Sequence, residues 1–173
     1  MLWGAVKRDV SPAATFQLYA YGEDLSGFPL FYADGLAYVG DASAFNSSGA
    51  AVVDFQTKKD SGYFVGNPNT TLSRNKPTWS NVTLFVPSNS SEDRHVGFLD
   101  LNDGTGNTTT ETSGFFFYGS TAMHMCADGS LASAFFGAKV QDNVYELVWN
   151  ETTKTIPLSL RRTAPSSPVK AWR

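Results

Sequence analysis

FYADGLAYVGDA, residues 31–42, is two short apolar runs meeting at Asp34-Gly35. A two-residue type I′ turn needs positive φ at both central positions, which Asp tolerates and Gly adopts at no steric cost, so this stretch predicts a β-hairpin. A second Asp-Gly pair, in MCADGSLASAFFGA (residues 125–138), predicts another. Superposing the pairs matches Ala33 with Ala127 and, after one insertion at Ser130, Leu36 with Leu131 and Ala37 with Ala132. Upstream, GFPLFY (27–32) and GFFFYG (114–119) are also alike. The matches are consistent with two related β-rich halves.

Outward from the hairpin, the chain keeps a period of two. TFQLYAY (15–21) sets Phe16, Leu18 and Ala20 against Gln17, Tyr19 and Tyr21. NVTLFV (81–86) sets Val82, Leu84 and Val86 against Thr83 and Phe85, and NVYELVW (143–149) sets Val144 and Val148 against Tyr145, Leu147 and Trp149. Alternation of this kind is the mark of strands with one face buried. Turn signals stand between the runs, at Ser26-Gly27, Ser48-Gly49, Asp60-Ser61-Gly62 and Asp103-Gly104. About eleven short strands at such spacing predict an all-β fold. The expectation is an antiparallel β-sandwich, jelly-roll or concanavalin-like, with a β-trefoil or a barrel as alternatives. SLASAFFGAKV (130–140) alone could pass for a helix, and its Gly137 and flanking Asp-Gly turn favour a strand. The domain is expected over residues 14–162, between an N-terminal segment (1–13) that is processed or flexible and an extended C-terminal tail (163–173).

A chain of 173 residues with 42% apolar side chains can bury a core without staples, yet only 17% of it is charged. That is well under the roughly 25% of ordinary soluble domains, and N-linked glycan is expected to make up the difference. Acceptor triplets occur at Asn46, Asn69, Asn81, Asn89, Asn107 and Asn150, six of ten asparagines, where 34 Ser and Thr in 173 would place about two by chance. The reading is a secreted glycoprotein. Lys7-Arg8 before Asp9 matches a dibasic processing site, and the opening MLWGAVKRDVSPAA lacks the apolar run of a complete signal sequence. The single cysteine, Cys126, reads as a small buried hydrophobe. No stretch approaches a helical membrane span. The basic residues at the C-terminus form no stripe of the kind nucleic acid requires, so no nucleic-acid partner is expected.

Reactive chemistry is sparse. His95 and His124 lie in separate strand regions and read as packed or surface imidazoles, and FYGSTA lacks the strand-to-helix setting that exposes a nucleophilic Ser120. Asp100, Asn102, Asp103 and Glu111 faintly imitate a calcium loop, but Thr105 stands where glycine is required. No metal, cofactor or catalytic residue is assigned. Asp41, Asp54, Glu92 and Glu146 could supply paired carboxylates only if the fold brought two together. The ligand-binding candidates are aromatic: Trp79, in the polar loop NKPTWSN, with Tyr19 and Tyr21, which alternate on one strand.

ATFQLYAYG, PLFYADGLAYVGD and GFFFYGSTAMHM with VYELVWNETTK resemble small secreted proteins of filamentous ascomycete fungi, in which a short prosequence ends in Lys-Arg. The resemblance implies a secreted, extracellular location and a fungal source; it assigns no functional residue. Three readings follow: a non-catalytic carbohydrate or cell-wall binding protein, a secreted interaction or effector-like protein, and a carbohydrate-active hydrolase.

Overall fold

The computed structural model describes residues 14–58, 61–71, 76–101 and 109–166. Within them lie fourteen strands: β1 (Tyr19–Gly22), β2 (Leu25–Ala33), β3 (Leu36–Gly40), β4 (Ala51–Thr57), β5 (Phe64–Pro68), β6 (Val82–Pro87), β7 (Gly97–Leu99), β8 (Thr110–Glu111), β9 (Phe115–Tyr118), β10 (Thr121–Met125), β11 (Leu131–Ala132), β12 (Phe135–Gln141), β13 (Val144–Trp149) and β14 (Ile156–Arg161). The one helical element among the described residues is a 3₁₀ turn, Ala42–Ala44. The all-β expectation holds, and SLASAFFGAKV forms β11 and most of β12.

Hydrogen bonding runs in the order β1-β2-β4-β5-β6-β7-β3-β13-β12-β14, and β14 pairs back onto β1 through Tyr19↔Arg161 to Gly22↔Leu158. Ten antiparallel strands therefore close on themselves. This corrects the sandwich: a sandwich leaves two sheets with free edges, whereas closure removes the edges altogether. Within the ring, β2 and β3 also pair with each other, from Leu30↔Val39 to Ala33↔Leu36, so the founding hairpin spans the barrel wall. Phe31 and Tyr32 pair β4 while Pro29 and Phe28 pair β1, and at β3 Leu36 pairs β7 while Tyr38–Gly40 pair β13.

Asp34 and Gly35 carry φ of 52° and 86°, as a type I′ turn requires. The second Asp-Gly hairpin, β10–β11, also forms, but only Gly129 is left-handed there, and the Gly129 N–H donates to the Cys126 carbonyl at 2.8 Å. It lies beyond the closed ring, whereas β2–β3 lies in its wall. The two hairpins occupy different places in the topology, and what they share is the Asp-Gly turn chemistry.

The period of two sorts side chains as expected. Leu18, Ala20, Val53, Phe55, Leu84, Leu147 and Leu160 fill the interior, which is threaded by ring contacts running Phe98–Phe55–Phe64–Phe115–His124–Trp149–Phe135. β2 is buried on both faces. Leu30 faces the interior, while Phe31 and Ala33 join Tyr38, Ala50, Val52 and Val144 in a second cluster on the outside, against Ala42 and Phe45 of the segment that carries the 3₁₀ turn. Asp41 holds that turn by accepting from the Ser43 backbone N–H at 3.0 Å.

Candidate functional site

Among the predicted ligand residues, Tyr21 stands at the rim of a depression of about 450 Å³, lined by Tyr21, Ser26, Ser120, Arg161, Thr163 and Pro165 among others. The site is built by barrel closure. Tyr21 lies on β1, Arg161 ends the neighbouring β14, and Thr121 of β10 pairs Arg161 from the other edge, carrying Ser120 with it. The Tyr21 hydroxyl donates to the Thr163 carbonyl at 2.9 Å, and the Arg161 guanidinium lies 5.1 Å from the Tyr21 ring centroid. The start of the expected tail is thereby part of the site, because Thr163 is fixed to Tyr21. Of the two neighbouring β1 tyrosines, Tyr21 is the one at the depression. Tyr19 donates to Gln17 Oε1 at 3.0 Å, and Gln17 Nε2 in turn donates to Asp54 at 3.0 Å. Its phenol braces β1 against β4, and burial, then the neighbouring Tyr21 and Asp54, raises its pKa.

Trp79 is half-buried. Its ring stacks on Tyr32 with centroids 4.1 Å apart, and its indole N–H donates to the Gly49 carbonyl at 2.7 Å. The polar loop thus tucks its aromatic residue partly under, against the core. Trp79 has no ring contact or hydrogen bond with Tyr19 or Tyr21.

A second depression, of about 410 Å³, gathers residues that the sequence reading left apart: Glu92, Asp93, Arg94, His95, Glu146, Glu151, Thr153 and Thr155 among them. His95 pairs with Val148 across the wall, which places Glu146 two residues along on the same face of β13. His95 Nδ1 is 2.6 Å from Asp93 Oδ1 and Nε2 is 3.2 Å from Glu146 Oε2, and Asp93 also accepts from the His95 backbone N–H. Burial lowers the imidazole pKa, but the Asp93 bond and the charges of Glu146 and Asp93 outweigh it, so the net shift is upward. Asp93 is lowered, first by the His95 backbone N–H and then by its ring. When the ring is protonated, both nitrogens have a carboxylate to donate to. Arg94 is spent on the carbonyls of Ser88, Ser91 and Trp149.

The fold separates two of the four carboxylates considered as a hydrolytic pair from the others and brings the remaining two into one depression. Asp41 caps the 3₁₀ turn, Asp54 accepts from Gln17 and Asn69, and only Glu92 and Glu146 share a depression. Asp93-x-His95 could have been read as a local pair; its partner Glu146 lies 51 residues from His95 and gives no local signal.

His124 is fully buried. Its Nε2 bonds the Ser113 carbonyl at 2.9 Å, while Nδ1 is buried without a partner. Charging it would place an N–H at Nδ1 with no acceptor, and burial lowers its pKa despite the Ser113 bond and Glu111 nearby. The two imidazoles therefore act oppositely. His95, with a raised folded pKa, contributes stability that is full below its unfolded pKa of about 6.5 and is lost as pH rises through the raised value. His124, with a depressed one, contributes stability present above about 6.5 and lost as pH falls through the lowered value. In a proton NMR titration, the His95 ring is expected to titrate above pH 6.5 and the His124 ring below it; the reverse order would contradict both environments.

Of the acceptor asparagines, Asn46, Asn81, Asn89 and Asn150 are exposed. Asn69 is half-buried, with its amide nitrogen donating to Asp54 at 3.1 Å. Asn107, the Lys7-Arg8 pair and most of the imitated calcium loop lie outside the described residues. The described residues contain no group of three His, Cys, Asp or Glu arranged to hold a metal ion, and no helix long and apolar enough to cross a membrane. No family model matches the chain, and neither a curated protein nor a solved structure shows significant similarity to it.

Proposed function

We propose that this chain is a secreted fungal N-glycoprotein and a non-catalytic carbohydrate-binding β-barrel that takes its ligand at the Tyr21 depression. The observation carrying this reading is the company of Tyr21: an aromatic ring held by its own hydroxyl, beside a guanidinium and the hydroxyl-bearing residues Ser26, Ser120 and Thr163. Sugars present apolar C–H faces and a fringe of hydroxyls, and a flat ring flanked by donors and acceptors answers both. Four exposed sequons support the secreted part of the reading. Trp79, braced by Tyr32 and Gly49, is a separate aromatic position for ligand contact.

The test is retention on insoluble polysaccharide together with a glycan array. Tyr21→Ala is expected to weaken binding by about 1 kcal/mol, the scale of an aromatic contact, with the fold intact by circular dichroism. Unchanged binding by the folded variant would place the ligand elsewhere. Protein secreted from a eukaryotic host is expected to carry glycan at Asn46, Asn81, Asn89 and Asn150, with Asn69 less occupied because its amide is engaged; a bare intact mass would contradict the glycoprotein reading.

A hydrolytic reading draws on one observation, the imidazole set between Asp93 and Glu146 in an open depression. Loss of glycoside hydrolysis in His95→Gln, with binding at Tyr21 retained, would favour it.

A further inference from the structure

Arg161 and Arg162 both stand exposed at the end of β14, and each lies over an aromatic ring: Arg161 at 5.1 Å from Tyr21 and Arg162 at 4.4 Å from Phe117. Among the described residues neither forms an ion pair. The Arg161 guanidinium has a long hydrogen bond, 3.5 Å from Nε to Ser159 Oγ. No Asp or Glu lines the depression that Arg161 enters. Arg162 is tied to the same corner, its backbone N–H donating to the Ser120 carbonyl at 2.9 Å.

A guanidinium lying on a ring is oriented before any ligand arrives, and its planar fork matches a carboxylate bidentately. Its partner in the complex is thus an anion that also has an apolar face for Tyr21 and hydroxyls for Ser26, Ser120 and Thr163. A sugar bearing a carboxylate satisfies all three. We infer, resting on the carbohydrate-binding reading above, that the Tyr21–Arg161 depression is selective for uronate-containing glycans, with Arg161 holding the uronate carboxylate and Arg162 adding to the local positive potential.

The experiment is calorimetric titration of the full chain with a soluble galacturonate oligomer, its fully methyl-esterified form, and a polyaspartate of matched charge. The free acid is expected to bind at least about tenfold more tightly than the ester, as expected for charge-assisted hydrogen bonds. Arg161→Gln is expected to erase that difference between acid and ester, and Arg161→Lys to restore it only in part, because an ammonium lacks the fork. Thermal melts of both variants should match the parent chain, since Arg161 is exposed. Equal binding of acid and ester, sensitive to Tyr21→Ala, would overturn the uronate selectivity and leave the carbohydrate reading standing. Polyaspartate binding as tightly as the oligomer would overturn it too, by reducing the site to a polyanion patch. No binding of any sugar would remove both.

Discussion

Gly40→Ala is expected to destabilise the chain by about 4 kcal/mol, near the top of the range for single substitutions. Gly40 has φ of 129°, and a Cβ there would stand 1.8 Å from the Asn143 carbonyl oxygen and 2.8 Å from its carbon. These atoms are backbone, so no rotamer change relieves the overlap. The same Asn143 carbonyl accepts from the Asp41 N–H at 2.9 Å, and Gly40 pairs with Val144 at the seam between β3 and β13. Moving Asn143 would open the β3–β13 pairing in the barrel wall. Urea denaturation should show a lower midpoint at unchanged slope; a loss under about 1 kcal/mol would mean that the seam yields easily.

Phe55→Ala should cost about 3 to 5 kcal/mol through the cavity it leaves. Phe55 is fully buried, and its ring meets Phe16, Phe64 and Phe98 with centroids 5.7 to 6.2 Å apart. Its backbone also exchanges both hydrogen bonds with Phe16, at 2.9 and 2.7 Å, so the side chain packs where β4 receives the incoming N-terminal segment. Tyr118→Ala is the control. That ring is 77% exposed at the turn between β9 and β10, and its removal should change stability by no more than about 0.5 kcal/mol. Comparable losses in the two variants would contradict the placement of the core.

The local part of this fold was legible in the sequence. The Asp34-Gly35 turn announces itself because few residue pairs accept two positive φ values, and the alternation in NVTLFV puts Val82, Leu84 and Val86 on one face, all in the interior. In NVYELVW the alternation separates Leu147 from Val144, but both faces are buried and the period alone does not say which is interior. Closure was not legible. Whether strands form two sheets or one ring depends on pairings such as Tyr19↔Arg161 and Leu36↔Gly97, which join distant segments and leave no trace in either one. Irregularities in register at Ala20/Tyr21 and Lys139/Gln141 add bends that a strict period of two does not encode.

The same limit governs the sites. Tyr21 could be named as an aromatic candidate, but the residue that fixes its hydroxyl, Thr163, lies 142 positions away. Arg161 is one of the basic residues near the C-terminus that form no stripe in the sequence, and only the pairing of β14 with β1 lays it over the Tyr21 ring. Trp79 was singled out for its polar loop; what the loop could not convey is that Tyr32 and Gly49 wait beneath it. His95 shows the converse. Half of its cluster was adjacent in Asp93-Arg94-His95, and the reading of a packed or surface imidazole missed how fully both ring nitrogens are engaged.

Ligand binding at the corner where β1 meets β14 is tested most directly by amide chemical-shift mapping while the isotope-labelled chain is titrated with the galacturonate oligomer. The expected result is a contiguous set of perturbations at Tyr21, Ser26, Ser120, Arg161 and Thr163, with His95 and Glu146 unmoved. Perturbations centred on Asp93, His95 and Glu146 instead, or none at saturating sugar, would contradict it.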